Sequence, residues 1–254
     1  MFFSRFSQFQ ALVWALAVAE AVQQGRIVDR TLPPRSPDQP GLPPSTSVCH
    51  HFLTLSQGLY QPQPSPFAHV PPEPWDGFTS VGWVPLLLCH LDDPQGWDVC
   101  LRVAPGLGWR GDSAPLGDLY QCLQRQLTPP WDRGRAAVPP AMPLDDVNAI
   151  VAAAIAVVQQ SQGDFSLTLK TALWRYGYPS PVCLWAALFS AGQRGLGTLP
   201  MAWRQAVANS PAPGIETPAI ADLLTAATQL WRLWAGMLPA PDASPRPVMC
   251  GKLP

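Results

Sequence analysis

Few residues of this 254-residue sequence combine the types and spacing that chemistry requires. Cysteine and histidine cluster at two places, the run Cys49–His51 and the pair Cys89–His90. A zinc site usually presents paired short spacings such as Cys-x-x-Cys, and neither cluster has one. We therefore interpret both clusters as ordinary core or surface residues and predict no metal site at either.

Carboxylates are paired at Asp92-Asp93 and at Asp145-Asp146. Adjacent side chains on a helix point about 100° apart, so neither pair forms an acid–base couple by itself. Asp145-Asp146 stands before an apolar run, where carboxylates favour the start of a helix. Asp92-Asp93 precedes Pro94 and is typical of a helix end. Both pairs are predicted to be structural.

The sequence lacks the local motifs of nucleophilic and phosphate-binding sites. It has no Gly-x-Ser-x-Gly elbow, no Gly-x-Gly-x-x-Gly after a strand and no phosphate-binding loop. The glycine-rich run Ala104–Gly111 has no strand–helix frame and is predicted to be a loop. Taken alone, these residue types indicate a helical domain without a visible active site.

The composition indicates which kind of partner the protein lacks and in which cellular compartment it is found. Hydrophobic residues make up 47% of the chain, charged residues 13%, and the net charge is −1. Without a basic excess to hold a phosphate backbone, we expect no nucleic-acid partner. The six cysteines show no short spacing, and a chain of this length does not need disulfides. We therefore expect free thiols and a cytoplasmic location.

Helices must position whatever site exists, because no strand-like alternation of any length occurs. Apolar periodicity and end signals predict helices at about 4–24, 47–60, 81–93, 114–127, 145–163, 164–177, 182–195, 200–209 and 217–237. Asp164 and Thr217 are predicted N-caps, and Gly25, Gly163 and Gly195 are predicted stops. The fold class is all-α, a single orthogonal multi-helix domain.

Proline-rich connectors separate several of these helices. The chain has 32 prolines, and dense runs fall at about 31–47, 61–77 and 128–143. Proline lacks a backbone donor and cannot lie inside a helix, so these stretches are predicted to be loops. We expect one domain over residues 1–238 and an irregular tail over 239–254.

The N-terminal residues allow two interpretations. The stretch "MFFSRFSQFQALVWALAVAEA" has an early Arg5, an apolar segment and an Ala-x-Ala ending, which is the outline of a signal peptide. The same residues place Phe6, Phe9, Val13 and Leu16 on one helical face. We interpret the stretch as a buried first helix, with export through a signal peptide as the alternative. No apolar run reaches the length of a membrane span.

Three blocks of the sequence resemble the ADP-ribosylglycohydrolase family, the fold of dinitrogenase reductase-activating glycohydrolase. "SRFSQFQALVWALAVAEAVQQG" is similar to the family's first helix, with Glu20-Ala21 where Asp-Ala of its Gly-Asp-Ala-Leu-Gly motif would stand. "GFTSVGWVPLLL" resembles the segment that carries Tyr-Thr-Asp-Asp-Thr-Gln. "DFSLTLKTALWRYGYPSPVCLWAALFSAGQRGLGTLPMAW" follows the frame of Gly-Gly-Asp-Thr-Asp-Thr, a small-residue helix and Ile-Pro-x-x-Trp, with Leu199, Pro200 and Trp203 in place.

The resemblance implies a site for two Mg²⁺ ions, and this chain has replaced its ligands. Hard divalent ions require oxygen ligands, which the family supplies from carboxylates and threonines. The positions that correspond to them here are Ser80, Val81, Gly82, Tyr178, Ser180 and Pro181. None carries a carboxylate, so we predict no catalytic residue, no bound metal and no cofactor. The candidate residues of the former cleft are Glu20, Trp83, Tyr176 and Tyr178.

The resemblance therefore implies that the chain kept the family's fold without its chemistry. We expect a pseudoenzyme that acts as an interaction, assembly or regulatory factor with another protein as its partner. One alternative is a protein that binds ADP-ribose or a related nucleotide without turnover. Another is an active ADP-ribosyl glycohydrolase with a rebuilt site.

Overall fold

The computed structural model describes residues 5–27, 29–35, 47–60, 77–107, 109, 113–127, 146–209 and 219–237. Within these ranges the protein is all-helical, which confirms the predicted fold class. The α-helices are α1 (Arg5–Gln23), α2 (Val48–Tyr60), α3 (Val84–His90), α4 (Gly96–Val103), α5 (Ser113–Leu127), α6 (Val147–Gln160), α7 (Phe165–Tyr176), α8 (Pro181–Arg194), α9 (Met201–Asn209) and α10 (Ile220–Trp234).

Local signals fix several of these helix ends. Asp146 and Asp164 are N-caps whose carboxylates accept backbone N–H bonds from Asn148 and Leu167. Gly163 and Gly195 follow helix ends with φ values of 73° and 78°, which non-glycine residues rarely adopt. The predicted ends of these helices are confirmed because each depends on residues within one turn of it.

α1 and α8 pack against each other at the centre of the core. α8 is buried along most of its length and packs against α1, α6 and α7. A Cβ added at Gly192 would lie 2.5 Å from Leu127 Cδ2 and 3.3 Å from Leu12 Cδ2. The absence of a side chain at Gly192 therefore lets α1, α5 and α8 approach closely.

A buried amide links these three helices at the same crossing. Gln8 Nε2 donates to the backbone carbonyls of Leu127 (3.1 Å) and Gly192 (2.9 Å). Buried polar groups need such partners. From Arg5 onward, the stretch that also fits a signal peptide forms α1, which is largely buried and packs on α8 and α10.

The structure corrects three predicted elements. The helix predicted over 81–93 is a 3-10 helix (Thr79–Trp83) followed by α3, which ends at His90. No helix was predicted at α4, and the run predicted as a loop after it begins with a 3-10 turn, Ala104–Leu107. The last helix begins at Ile220, with Ala219 as N-cap and no side-chain cap bond.

Some predictions concern residues outside the described ranges. They include Asp145, the proposed cap Thr217, the tail 239–254 and almost all of the three proline-rich connectors. In the part of the chain that the structure describes, no helix has both the length and the hydropathy needed to cross a bilayer.

Candidate functional site

The carboxylate of Glu20 lies buried near the end of α1 and is held by protein donors. Oε1 accepts hydrogen bonds from the Ser47 hydroxyl and the Gln24 amide, each at 2.9 Å. Oε2 accepts the backbone N–H of Cys49 at 2.8 Å. The side chain has 0% exposure. Glu20 therefore joins α1 to the first turn of α2, with both oxygens engaged.

The Cys49 thiol beside this carboxylate is a poor nucleophile. Burial, with the nearby negative charge of Glu20, raises the pKa of Cys49 well above its usual value. The thiolate is the reactive form of cysteine, and this environment disfavours it. Burial also raises the pKa of the Cys89 thiol and lowers that of His90. The Cys49 and Cys89 thiols and the His90 imidazole thus lie in protein surroundings that disfavour their charged forms.

The loop between α7 and α8, together with the first residue of α8, carries three of the positions singled out by the resemblance. Gly177 ends α7 with φ 74°, the Tyr178–Pro179 peptide bond is cis, and Pro181 occupies the first turn of α8. The Ser180 N–H donates to Gln23 Oε1 at 2.6 Å, which fastens the loop to α1. Among the described residues, neither Ser180 Oγ nor Gln23 Nε2 has a hydrogen-bond partner.

The segment that carries Ser80 contacts the start of α8. A Cβ added at Gly77 would lie 2.7 Å from Pro181 Cβ, and the Trp185 indole donates to the Gly77 carbonyl at 3.1 Å. Ser80 is fully buried, and its hydroxyl has no partner within the described ranges. The middle and C-terminal blocks of the resemblance are therefore neighbours in the fold.

The residues at these positions do not fit the two Mg²⁺ ions that the resemblance implies. Val81, Gly82 and Pro181 offer no side-chain oxygen, and Ser80 and Ser180 offer only neutral hydroxyls. Two Mg²⁺ ions bring four positive charges, which carboxylates balance in hard-ion sites. In the described part of the chain, no group of three or more His, Cys, Asp or Glu residues is arranged to hold a metal ion.

The remaining cleft candidates pack against other parts of the protein. Tyr178 is half-buried, and its hydroxyl lies 3.5 Å from the Pro33 carbonyl. Burial raises the pKa of Tyr178 to about 12, and the Arg35 charge partly opposes this shift. Trp83 meets Trp109 edge to face at a centroid distance of 5.1 Å. Tyr176, the last residue of α7, packs against the core.

A second site candidate, which the sequence analysis missed, is a groove on the outer side of α7. Its volume is about 560 Å³. Leu167, Lys170, Thr171 and Trp174 line it at the i, i+3, i+4 and i+7 positions of one helical face. That spacing is visible in the sequence, but it also fits a buried face. We call this surface the α7 groove.

No family model, curated protein or solved structure matches the chain. The resemblance to the ADP-ribosylglycohydrolases therefore stays a prediction that rests on the three sequence blocks.

Proposed function

We propose that this chain is a non-catalytic ADP-ribosylglycohydrolase-like protein that acts as an interaction, assembly or regulatory factor. The observation that carries the proposal is the state of Glu20, a carboxylate of the presumed cleft whose two oxygens accept three protein hydrogen bonds. A carboxylate so engaged is a structural link between helices. The positions that correspond by resemblance to the family's metal ligands provide hydroxyls and apolar groups in place of carboxylates.

Surface composition supports protein binding as the activity. Trp174 on α7 is 65% exposed, and Leu167 on the same face is 49% exposed. Aromatic residues are enriched in protein interfaces and in their energetic hot spots. The five cysteines in the described ranges are free thiols, which supports a reducing compartment, and we place the protein in the cytoplasm as part of this proposal.

Quantitative affinity purification of the full chain from its native cells tests this function. We expect at least one other protein to be recovered in about equal molar amount. Recovery of no stoichiometric partner, together with release of ADP-ribose from a modified substrate by the purified chain, would contradict the proposal.

One observation favours the second candidate function, binding of ADP-ribose or a related nucleotide without turnover. The α7 groove places the exposed indole of Trp174 beside Lys170 and Arg175. An indole can stack on a base, and cationic side chains can bind phosphate oxygens. Calorimetry with ADP-ribose tests it: saturable heat that is lost in Trp174→Ala supports nucleotide binding, and no heat at high micromolar ligand excludes it.

A further inference from the structure

The outer face of α7 combines apolar side chains with positive charge. Leu167 and Trp174 lie seven residues apart, which is about 10 Å along the helix axis. Half-buried Lys170 lies between them, and exposed Arg175 follows Trp174. Large apolar side chains exposed on one face of a helix are typical of contact surfaces.

The charges along this face match an acidic partner. The seven described residues that line the groove include two cations and no carboxylate. Two carboxylates lie near the groove without lining it, and both accept protein hydrogen bonds. Asp164 accepts the Leu167 N–H at 2.7 Å as the N-cap of α7. The pKa of Asp29 is lowered by hydrogen bonds from Thr31 and Trp203 and, less strongly, by the Lys170 charge. Asp29 thus serves to hold the segment beside the groove, since its oxygens accept bonds from Thr31 and Trp203.

The groove suits a peptide better than a phosphate group. Arg175 lies in the last turn of α7, where the partial negative charge of the helix end opposes any anion, and it opposes a phosphate group of up to two negative charges more than a single carboxylate. Phosphate sites commonly use backbone N–H groups at a helix N-terminus, and the Leu167 N–H at this end of the groove already donates to the Asp164 carboxylate. Two exposed apolar side chains two turns apart, with one cation between them and a second beside Trp174, complement a short amphipathic segment.

We propose that the α7 groove docks a short segment of a partner protein in which apolar side chains are flanked by Asp or Glu. The apolar side chains cover Leu167 and Trp174, and the carboxylates pair with Lys170 and Arg175. This inference rests on the proposed function, because it names where and by what chemistry the partner is recognised.

Selection of peptides from a phage-displayed library of random 16-residue sequences tests the docking site. The baits are the full wild-type chain, Trp174→Ala, Lys170→Glu and, as a matched control, Met201→Ala. Met201 is 59% exposed on α9 and does not line the groove. Circular dichroism and thermal unfolding verify that each bait is folded. The affinity of the best peptide for each bait is then measured by fluorescence polarisation, with and without millimolar ADP-ribose.

We expect wild type and Met201→Ala to select peptides with an apolar residue flanked by carboxylates. Trp174→Ala and Lys170→Glu should bind the best peptide about tenfold or more weakly, since interface tryptophans are often hot spots. A consensus without carboxylates, equal binding by all four baits, or no selected peptide would overturn the groove assignment.

The proposed function has a separate readout. A stoichiometric partner recovered equally by wild type and Trp174→Ala would leave protein binding intact and refute the groove. Displacement of the peptide by ADP-ribose would assign the groove to a nucleotide and overturn the docking proposal.

Discussion

The Glu20 carboxylate of α1 accepts a 2.9 Å hydrogen bond from the Ser47 hydroxyl at the start of α2. Both residues are buried, and the bond joins segments 27 positions apart in sequence. The position that resembles a family motif residue is therefore used here to fasten two helices.

Glu20→Gln tests this structural role. One oxygen becomes an NH₂ group that faces hydrogen-bond donors, so we expect a loss of about 1–3 kcal/mol in the free energy of unfolding. Urea denaturation followed by circular dichroism measures it. The control is Asp118→Asn, an exposed carboxylate-to-amide change on α5 that should cost less than about 0.5 kcal/mol. Equal small effects of both substitutions would contradict the role given to Glu20.

The Ser80 hydroxyl has no hydrogen-bond partner among the described residues, and this predicts that its removal does not destabilise the fold. A buried polar group without a bond is destabilising, so Ser80→Ala should be neutral or slightly stabilising. The matched control is Ser190→Ala, because Ser190 is equally buried and its hydroxyl donates to the Gly163 carbonyl at 2.9 Å. We expect that control to lose about 1 kcal/mol. The measurement is the urea midpoint, and a clear loss of stability in Ser80→Ala would show that its hydroxyl has a partner.

The close approach of three helices at Gly192 predicts the effect of a single methyl group. Gly192→Ala places a Cβ 2.5 Å from Leu127 Cδ2 inside a packed core, which should cost about 1–3 kcal/mol. Gly197→Ala is the control, because a Cβ there meets nothing within 4 Å. The measurement is the midpoint temperature of thermal unfolding for both variants and wild type. A Gly192→Ala variant as stable as wild type would mean that α1, α5 and α8 move apart at little cost.

The buried thiols predict a loss of stability at alkaline pH. Burial raises the pKa of Cys183 from its ordinary value of 9.0 to about 12. Between these values the unfolded chain loses the thiol proton while the folded chain keeps it, so stability falls as pH rises through this window. Each such thiol contributes a slope of up to about 1.4 kcal/mol per pH unit.

Cys183→Ala isolates this contribution. Unfolding free energies from urea denaturation between pH 8 and 11 should decline less steeply in the variant than in wild type, by up to about 1.4 kcal/mol per pH unit. The cavity left by the substitution lowers stability at every pH and does not alter the comparison of slopes. Identical slopes would show that the Cys183 thiol ionises as easily in the folded chain as in the unfolded one.

The beginning or end of a helix can be predicted from the sequence where it depends on residues within one turn of it. Asp164 and Gly195 act within one turn of their own helix ends, so composition and spacing are sufficient to predict them. α4 is short and has no side-chain cap bond, and α10 begins at an alanine N-cap, so neither start leaves a strong local signal.

Contacts between residues that are far apart in the sequence could not be predicted from it. The two carbonyls that Gln8 bonds lie 119 and 184 positions away, and in the sequence Gln8 is only a polar residue in an apolar helix. The close approach of Gly77 and Pro181 joins segments about 100 positions apart and was not predicted. The i, i+3, i+4, i+7 spacing on α7 is visible in the sequence. Whether that face is buried or exposed depends on how the neighbouring helices pack against α7.

We predict that this fold carries no ADP-ribosyl hydrolase chemistry, and release of ADP-ribose from a modified protein is the most informative readout. Purified wild type and Glu20→Gln are incubated with an ADP-ribosylated protein and millimolar Mg²⁺ or Mn²⁺, and released ADP-ribose is quantified by mass spectrometry. We predict no release above the enzyme-free control for either chain. Metal-dependent release by wild type that Glu20→Gln abolishes would show that this fold carries out ADP-ribosyl hydrolysis and that Glu20 takes part in it.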